Sequence, residues 1–118
     1  MSEVRSKYNP ILSLDYIRTK DENMFFDRKS ALISVPDLAK IISAFANAEG
    51  GTIAIGVNEK NREIEGISSL GSSRINDLVS APKDGCKPMP KSTCEFLSVK
   101  NRKGDDDQIM LLHMSISK

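Results

Sequence analysis

Cations recur along this chain in short polar segments: Arg28 and Lys29, Lys60 and Arg62, Lys83, Lys87 and Lys91, then Lys100, Arg102 and Lys103. Lysine and arginine at loops and strand ends can neutralise phosphates, releasing counterions condensed on a nucleic acid. Such contacts position a polyanion without reading its bases. The chemistry requires that folding gather cations from separate segments onto one face. The alternative is a scatter of solvated lysines balanced by Glu63, Asp105, Asp106 and Asp107. Arg28, Lys29, Lys60, Arg62, Lys87 and Lys91 are the expected phosphate contacts.

Other chemistries find less support. His113 is the only histidine, so histidine-based catalysis and a histidine-containing zinc site are not expected, and it reads as a satisfied or exposed strand residue. Cys86 and Cys94 lack the spacing of a metal knuckle and read as reduced structural thiols. No serine or cysteine nucleophile has a base in a motif. Asn47-Ala48-Glu49-Gly50-Gly51 falls at a helix end rather than a helix start, so it is a helix-to-strand reversal and not a phosphate cradle. Asn47 is expected to bond the turn backbone.

With 118 residues, 39% hydrophobic and 28% charged, the chain suits one domain with a modest core. A formal charge of +1 means that any polyanion site must be local. Aromatic residues at 5%, with no Trp, leave few platforms for base stacking. No apolar run is long enough to span a bilayer and the first ten residues lack the apolar core of a secretory signal, so a cytoplasmic location is expected with no membrane contact.

The elements that must position these residues follow from periodicity. Residues 1–10 read as a flexible leader and 11–118 as a single domain. A short helix is expected over Ile11–Arg18 and a strand from Met24 to about Leu32. Ser34 caps a helix with Pro36 and Asp37 in its first turn, and Val35, Leu38, Ile41, Ile42 and Phe45 form one apolar stripe. Gly50 and Gly51 end it. From Thr52 the period becomes two, with Ile53, Ile55 and Val57 on one face and Thr52, Ala54 and Gly56 on the other. Residues 63–67 alternate again and suggest a hairpin with an exposed, charged tip. A helix is expected to end near Ala81 and Pro82, followed by an extended loop to Lys91. Thr93–Lys100 and Gln108–Ile116 read as a closing hairpin. The fold class is α+β: a mixed, mostly antiparallel sheet with helices packed on it.

The string from Ser43 to Asn58, SAFANAEGGTIAIGVN, with Glu22, Asp27 and Lys29 upstream and Gly66 downstream, resembles the Schlafen AlbA_2 family, also called divergent AAA-4. Phe45, Asn47, Gly50, Gly51, Gly56 and Gly66 are the structural residues of that motif. The resemblance implies a nucleic-acid-binding module, often of bacterial transcriptional regulators, or an RNA-cutting one; the first is the expectation here, as a DNA-binding or RNA-binding module without catalytic activity or cofactor. It further implies that the chain is the N-terminal part of a longer protein whose C-terminal regions it contacts. A second reading follows from the branch of the family that cuts RNA. Motif matching there lands on Glu22, Asp27 and Glu59 as carboxylates for Mg or Mn, although Asp27 is shorter than the usual Glu and Asn58 stands where an acid is common. A third reading is a dimerisation or adaptor module whose sheet edge pairs with its own copy.

Overall fold

The computed structural model describes residues 3–4, 12–19, 21–22, 26–48, 50–86 and 90–115. In chain order these form β1 (Glu3–Val4), β2 (Leu12–Ser13), α1 (Leu14–Thr19), β3 (Phe26–Lys29), α2 (Val35–Asn47), β4 (Gly51–Ile55), α3 (Ser72–Val79), α4 (Ala81–Asp84), β5 (Ser92–Lys100) and β6 (Asp106–Met114). The main sheet has the order β3-β4-β6-β5, with β3 parallel to β4 and the other pairs antiparallel. It is the expected α+β arrangement. No helix among the described residues is long and apolar enough to cross a membrane.

Helix α2 forms where capping and periodicity agree. The Ser34 hydroxyl oxygen accepts from the Asp37 amide at 3.2 Å, and Pro36 occupies the first turn, where a missing amide hydrogen breaks no helical bond. Leu38, Ala39, Ile42 and Ala46 are buried along one face. Each buried leucine or isoleucine contributes about 1.5–3 kcal/mol by removal from water. The helix ends through its backbone: the Ala48 amide donates to Ala44 and Phe45, and the Gly50 amide donates to the Phe45 carbonyl at 2.8 Å. Gly50 has φ of 80°, and a Cβ there would lie 2.5 Å from the Met114 carbonyl oxygen, so only glycine lets the chain turn beside β6. The Asn47 side chain was expected to bond this turn; it is exposed and makes no hydrogen bond among the described residues, because the backbone has already filled that role.

Both faces of the sheet are covered. Ile53, Ile55, Met110, Leu112 and Met114 pack against Leu38, Ala39 and Ile42 of α2, Leu78 of α3 and Ala81 of α4. Ala54, Ile109 and Leu111 pack on the opposite face with Ile17 of α1, Phe26 and Val99. Val57 belongs to this second face, not to that of Ile53 and Ile55, because the alternation reverses at Gly56, whose φ is 109°.

Several expectations need correction. The first helix begins at Leu14, since Leu12–Ser13 pair with Glu3–Val4 in a separate two-stranded ladder. The described part of the first strand is only Phe26–Lys29. Residues 63–67 form no second strand: pairing shrinks to one bridge, Val57 with Ile64, because the amides of Glu65 and Gly66 both turn back to the Gly56 carbonyl. Pro82 does not close a helix but sits in the first turn of α4, where its fixed φ suits a helical start. The closing hairpin runs Ser92–Lys100 and Asp106–Met114.

The registers place the functional candidates. Lys29 pairs with Ile55, and Lys100 pairs with Asp106. The segment after β4 runs beside the first half of β6, with the Ile67 amide donating to the Gln108 carbonyl and the Arg102 amide donating to Ile64. Lys29, the turn after Asn58 and the turn after Lys100 therefore share one half of the sheet. Lys91, whose carbonyl accepts from the Ser115 amide, precedes β5 at the opposite end.

Candidate nucleic-acid interface

The motif acids meet around a lysine. Lys29 Nζ lies 3.2 Å from Asp27 Oδ2 and 3.0 Å from Glu59 Oε1, while Glu22 accepts from the Arg28 amide at 3.2 Å. Parallel pairing makes this possible, since β3 and β4 end side by side and Glu59 comes in the turn four residues after the end of β4. Burial, then a hydrogen bond with Glu22, pushes Asp27 up to about 6. Burial also works against ionisation of Glu22, but hydrogen bonds from Asp27 and the Arg28 amide, with the charges of Lys29 and Arg28, outweigh it and lower its pKa. Lys29 stays cationic, because its two carboxylate partners outweigh its desolvation and raise its pKa.

This convergence does not fit a divalent ion. The Lys29 ammonium lies between the carboxylates of Asp27 and Glu59, and among the described residues no group of three His, Cys, Asp or Glu side chains is arranged to hold a metal. A magnesium ion needs near-octahedral oxygen ligation, and to reach Asp27 Oδ2 and Glu59 Oε1 it would have to displace that ammonium.

Arg28 was expected to contact phosphate. It is 1% exposed: its guanidinium lies 5.1 Å over the Phe26 ring, and Nε donates to the Ile17 carbonyl at 2.8 Å. Alternation along β3 turns Arg28 to the same face as Phe26, against α1, where it fastens the helix to the sheet.

Arg62 is held in the same way but nearer the surface. Its guanidinium donates to the Thr19 carbonyl at 2.8 Å and to Asp21 at 2.9 Å. The turn that delivers it is built by Asn58, whose side-chain oxygen accepts from the amides of Lys60 and Asn61. Arg62 itself has φ of 61°, an uncommon conformation for a residue with a side chain.

A different set of cations gathers beside it. Arg18 at the end of α1 donates from Nε to the Arg62 carbonyl at 3.2 Å. Arg18, Lys100 and Arg102 line one shallow pocket of about 160 Å³ with Glu63, Ile64 and Asn101. Lys100 is ion-paired with Asp106, whereas Arg18, Lys60, Arg102 and Lys103 are exposed and have no carboxylate partner among the described residues. Sequence reasoning named Lys100, Arg102 and Lys103 as recurring cations but missed Arg18, for nothing in a six-residue helix tells which distant turn its last basic residue will meet. Lys91 stands away from this group, about 30 Å from Lys100 along the strand at ~3.4 Å per residue. Lys87 lies outside the described residues. The six expected contacts thus do not form one surface.

One buried arrangement imitates a catalytic relay. The Thr52 hydroxyl lies 2.9 Å from His113 Nδ1, and His113 Nε2 meets the Glu95 carboxylate. Burial lowers the His113 pKa despite Glu95, so the ring is neutral and bridges β4 and β5 across β6. Thr52 and His113 are 0% and 1% exposed, which denies any substrate the hydroxyl. The trio is a polar tie within the sheet. Cys86 is likewise structural, accepting from Ser43 and donating to the Ala39 carbonyl.

A short acid-and-lysine strand parallel to a glycine-bounded one, joined by a capped helix and extended by an antiparallel hairpin, defines a small α+β domain. The family model described as "Schlafen, AlbA_2" matches residues 22–118, and the chain belongs to that nucleic-acid-related family. Arg18 and α1 precede the matched region. No curated protein matches the chain.

Proposed function

We propose that this domain is a DNA-binding or RNA-binding module of a bacterial transcriptional regulator, holding phosphates along Arg18, Lys60, Arg102 and Lys103. One observation carries the reading: Arg18 at the end of α1 lines the same shallow pocket as Lys100 and Arg102, at the end of β5 and in the turn after it, more than eighty residues away in sequence. Cations without a carboxylate partner can neutralise phosphates, and release the counterions condensed on them, without first breaking an ion pair. Membership of a nucleic-acid-related family supports the nucleic-acid part of this reading, and the regulator setting is part of the proposal.

The test is charge reversal. Arg18→Glu with Arg102→Glu is expected to weaken binding of duplex DNA and structured RNA by ~10-fold or more, equally across sequences. Lys91→Glu, at the far end of the sheet, is expected to leave it nearly unchanged. Equal losses in both variants would remove the pocket from the account.

Metal-dependent RNA cleavage has one point in its favour, the convergence of Glu22, Asp27 and Glu59, and the position of Lys29 against it. Labelled tRNA incubated with manganese is expected to survive equally with the native protein and with Glu22→Ala.

A further inference from the structure

The two edges of the main sheet are unlike. β3 is four residues long and carries Asp27, Arg28 and Lys29, which blunts it against pairing. β5 runs nine residues in continuous register with β6, without a bulge or a proline, and no described segment pairs with its outer side. Phe96 stands at its middle, 45% exposed.

The direction of the outer hydrogen-bonding groups can be read from the ladder. The Ser115 amide donates to the Lys91 carbonyl and the Asn101 amide to Asp105, so the odd-numbered residues of β5 bond inward to β6. The even-numbered ones, Cys94, Phe96 and Ser98 among them, therefore aim their amide and carbonyl groups outward. They form a row that a further strand would satisfy.

From this edge we infer that β5 pairs antiparallel with β5 of a second copy, about a two-fold axis at Phe96. Phe96 is the midpoint of Ser92–Lys100, so this register alone lets every residue of the strand find a partner. Phe96 then meets Phe96, Cys94 meets Ser98, and Ser92 meets Lys100 on one face; Thr93 meets Val99 and Glu95 meets Leu97 on the other. No like charges are opposed. Centring the axis one residue earlier would set Glu95 against Glu95. The two Phe96 rings extend the apolar layer already formed by Cys94 against the α2 face of the sheet. The result is a continuous eight-stranded sheet with short, charged β3 strands at both ends.

Sedimentation equilibrium over roughly 5–200 μM tests this, a range suited to a micromolar association. The native protein is expected to dimerise, and Phe96→Arg to weaken association by at least ~10-fold. Ser98→Pro removes an outward amide and no β5–β6 bond, so it is expected to do the same with an unchanged circular dichroism spectrum. Leu32→Arg, at an 81% exposed leucine away from the edge, is expected to leave association intact. Ser98→Cys is expected to cross-link to Cys94 of the second copy on oxidation. A native protein that stays monomeric throughout, or a dimer indifferent to Phe96→Arg, overturns the inference; dimerisation without the Cys94 cross-link overturns its register.

Discussion

Gly66 and Asp107 form a lock whose strength can be worked out from geometry. Asp107 Oδ1 accepts from the Ile67 and Ser68 amides at 3.0 Å, from the Ser68 hydroxyl at 2.6 Å and from the Gln108 amide at 2.7 Å, while Oδ2 accepts from Asn101 at 3.1 Å. Although burial works against ionisation, these bonds hold its pKa at about 2. Gly66 has φ of 79°, and a Cβ there would fall 2.0 Å from Asp107 Oδ2. Gly66→Ala therefore adds backbone strain of about 1–2 kcal/mol and displaces a carboxylate whose charge-assisted bonds contribute about 1.5–3 kcal/mol each. Allowing for water that re-solvates the moved group, the total is about 3–5 kcal/mol. At ~2.1 cal/mol/K of unfolding entropy per residue, a chain of 118 residues loses about 4 °C per kcal/mol. The melting temperature by calorimetry should fall by roughly 12–20 °C. Gly71 supplies the control, since it has φ of 81° and nothing within 4 Å of a Cβ. Gly71→Ala should cost the strain alone, about 1–3 kcal/mol at its φ of 81° and ψ of 158°. Equal costs at the two glycines would refute the lock.

Other predictions concern charge. Asp107 ionises more readily folded than unfolded, so its stabilisation is complete above pH 3.8 and fades as pH falls toward 2; Asp107→Asn should remove that acid limb from a pH series of urea melts. Asp27 has the opposite sign: its folded pKa of about 6 lies above 3.8, so its contribution is full below 3.8 and is lost as pH rises through 6. Allowing for screening, that loss should be about 1–2 kcal/mol, and Asp27→Asn should flatten it in the same melts. Arg28→Ala and Arg28→Met both remove the donor to the Ile17 carbonyl and the charge beside Glu22, but Met keeps the packing against Phe26, so Arg28→Ala should cost about 3–5 kcal/mol and Arg28→Met measurably less in urea melts.

Helix α2 and strand β4 were legible because local signals agreed: Ser34 caps, the stripe buries, and the period changes at the glycines. The supposed hairpin at residues 63–67 was not, since its alternation competes with two glycines whose positive φ redirects the backbone. The burial of Arg28 was available in the sequence, for period two sets it on the side of Phe26 and leaves Asp27 and Lys29 together on the other. The partners of Arg62, Asp21 and the Thr19 carbonyl, depend on how α1 crosses β3, which no spacing encodes. The acids were found through the family motif, but the placement of Lys29 between two of them needed the parallel register of β3 and β4.

Arg18, Lys60, Arg102 and Lys103 are proposed to act together on phosphates. A salt titration of binding to a duplex measures this directly, because log affinity falls against log salt with a slope near −0.9 per phosphate neutralised. Contacts by these side chains predict a slope of about −3 to −4 for the native protein, made shallower by about one unit for each of Arg18→Gln and Arg102→Gln. A native slope near zero, or one that neither substitution changes, would contradict it.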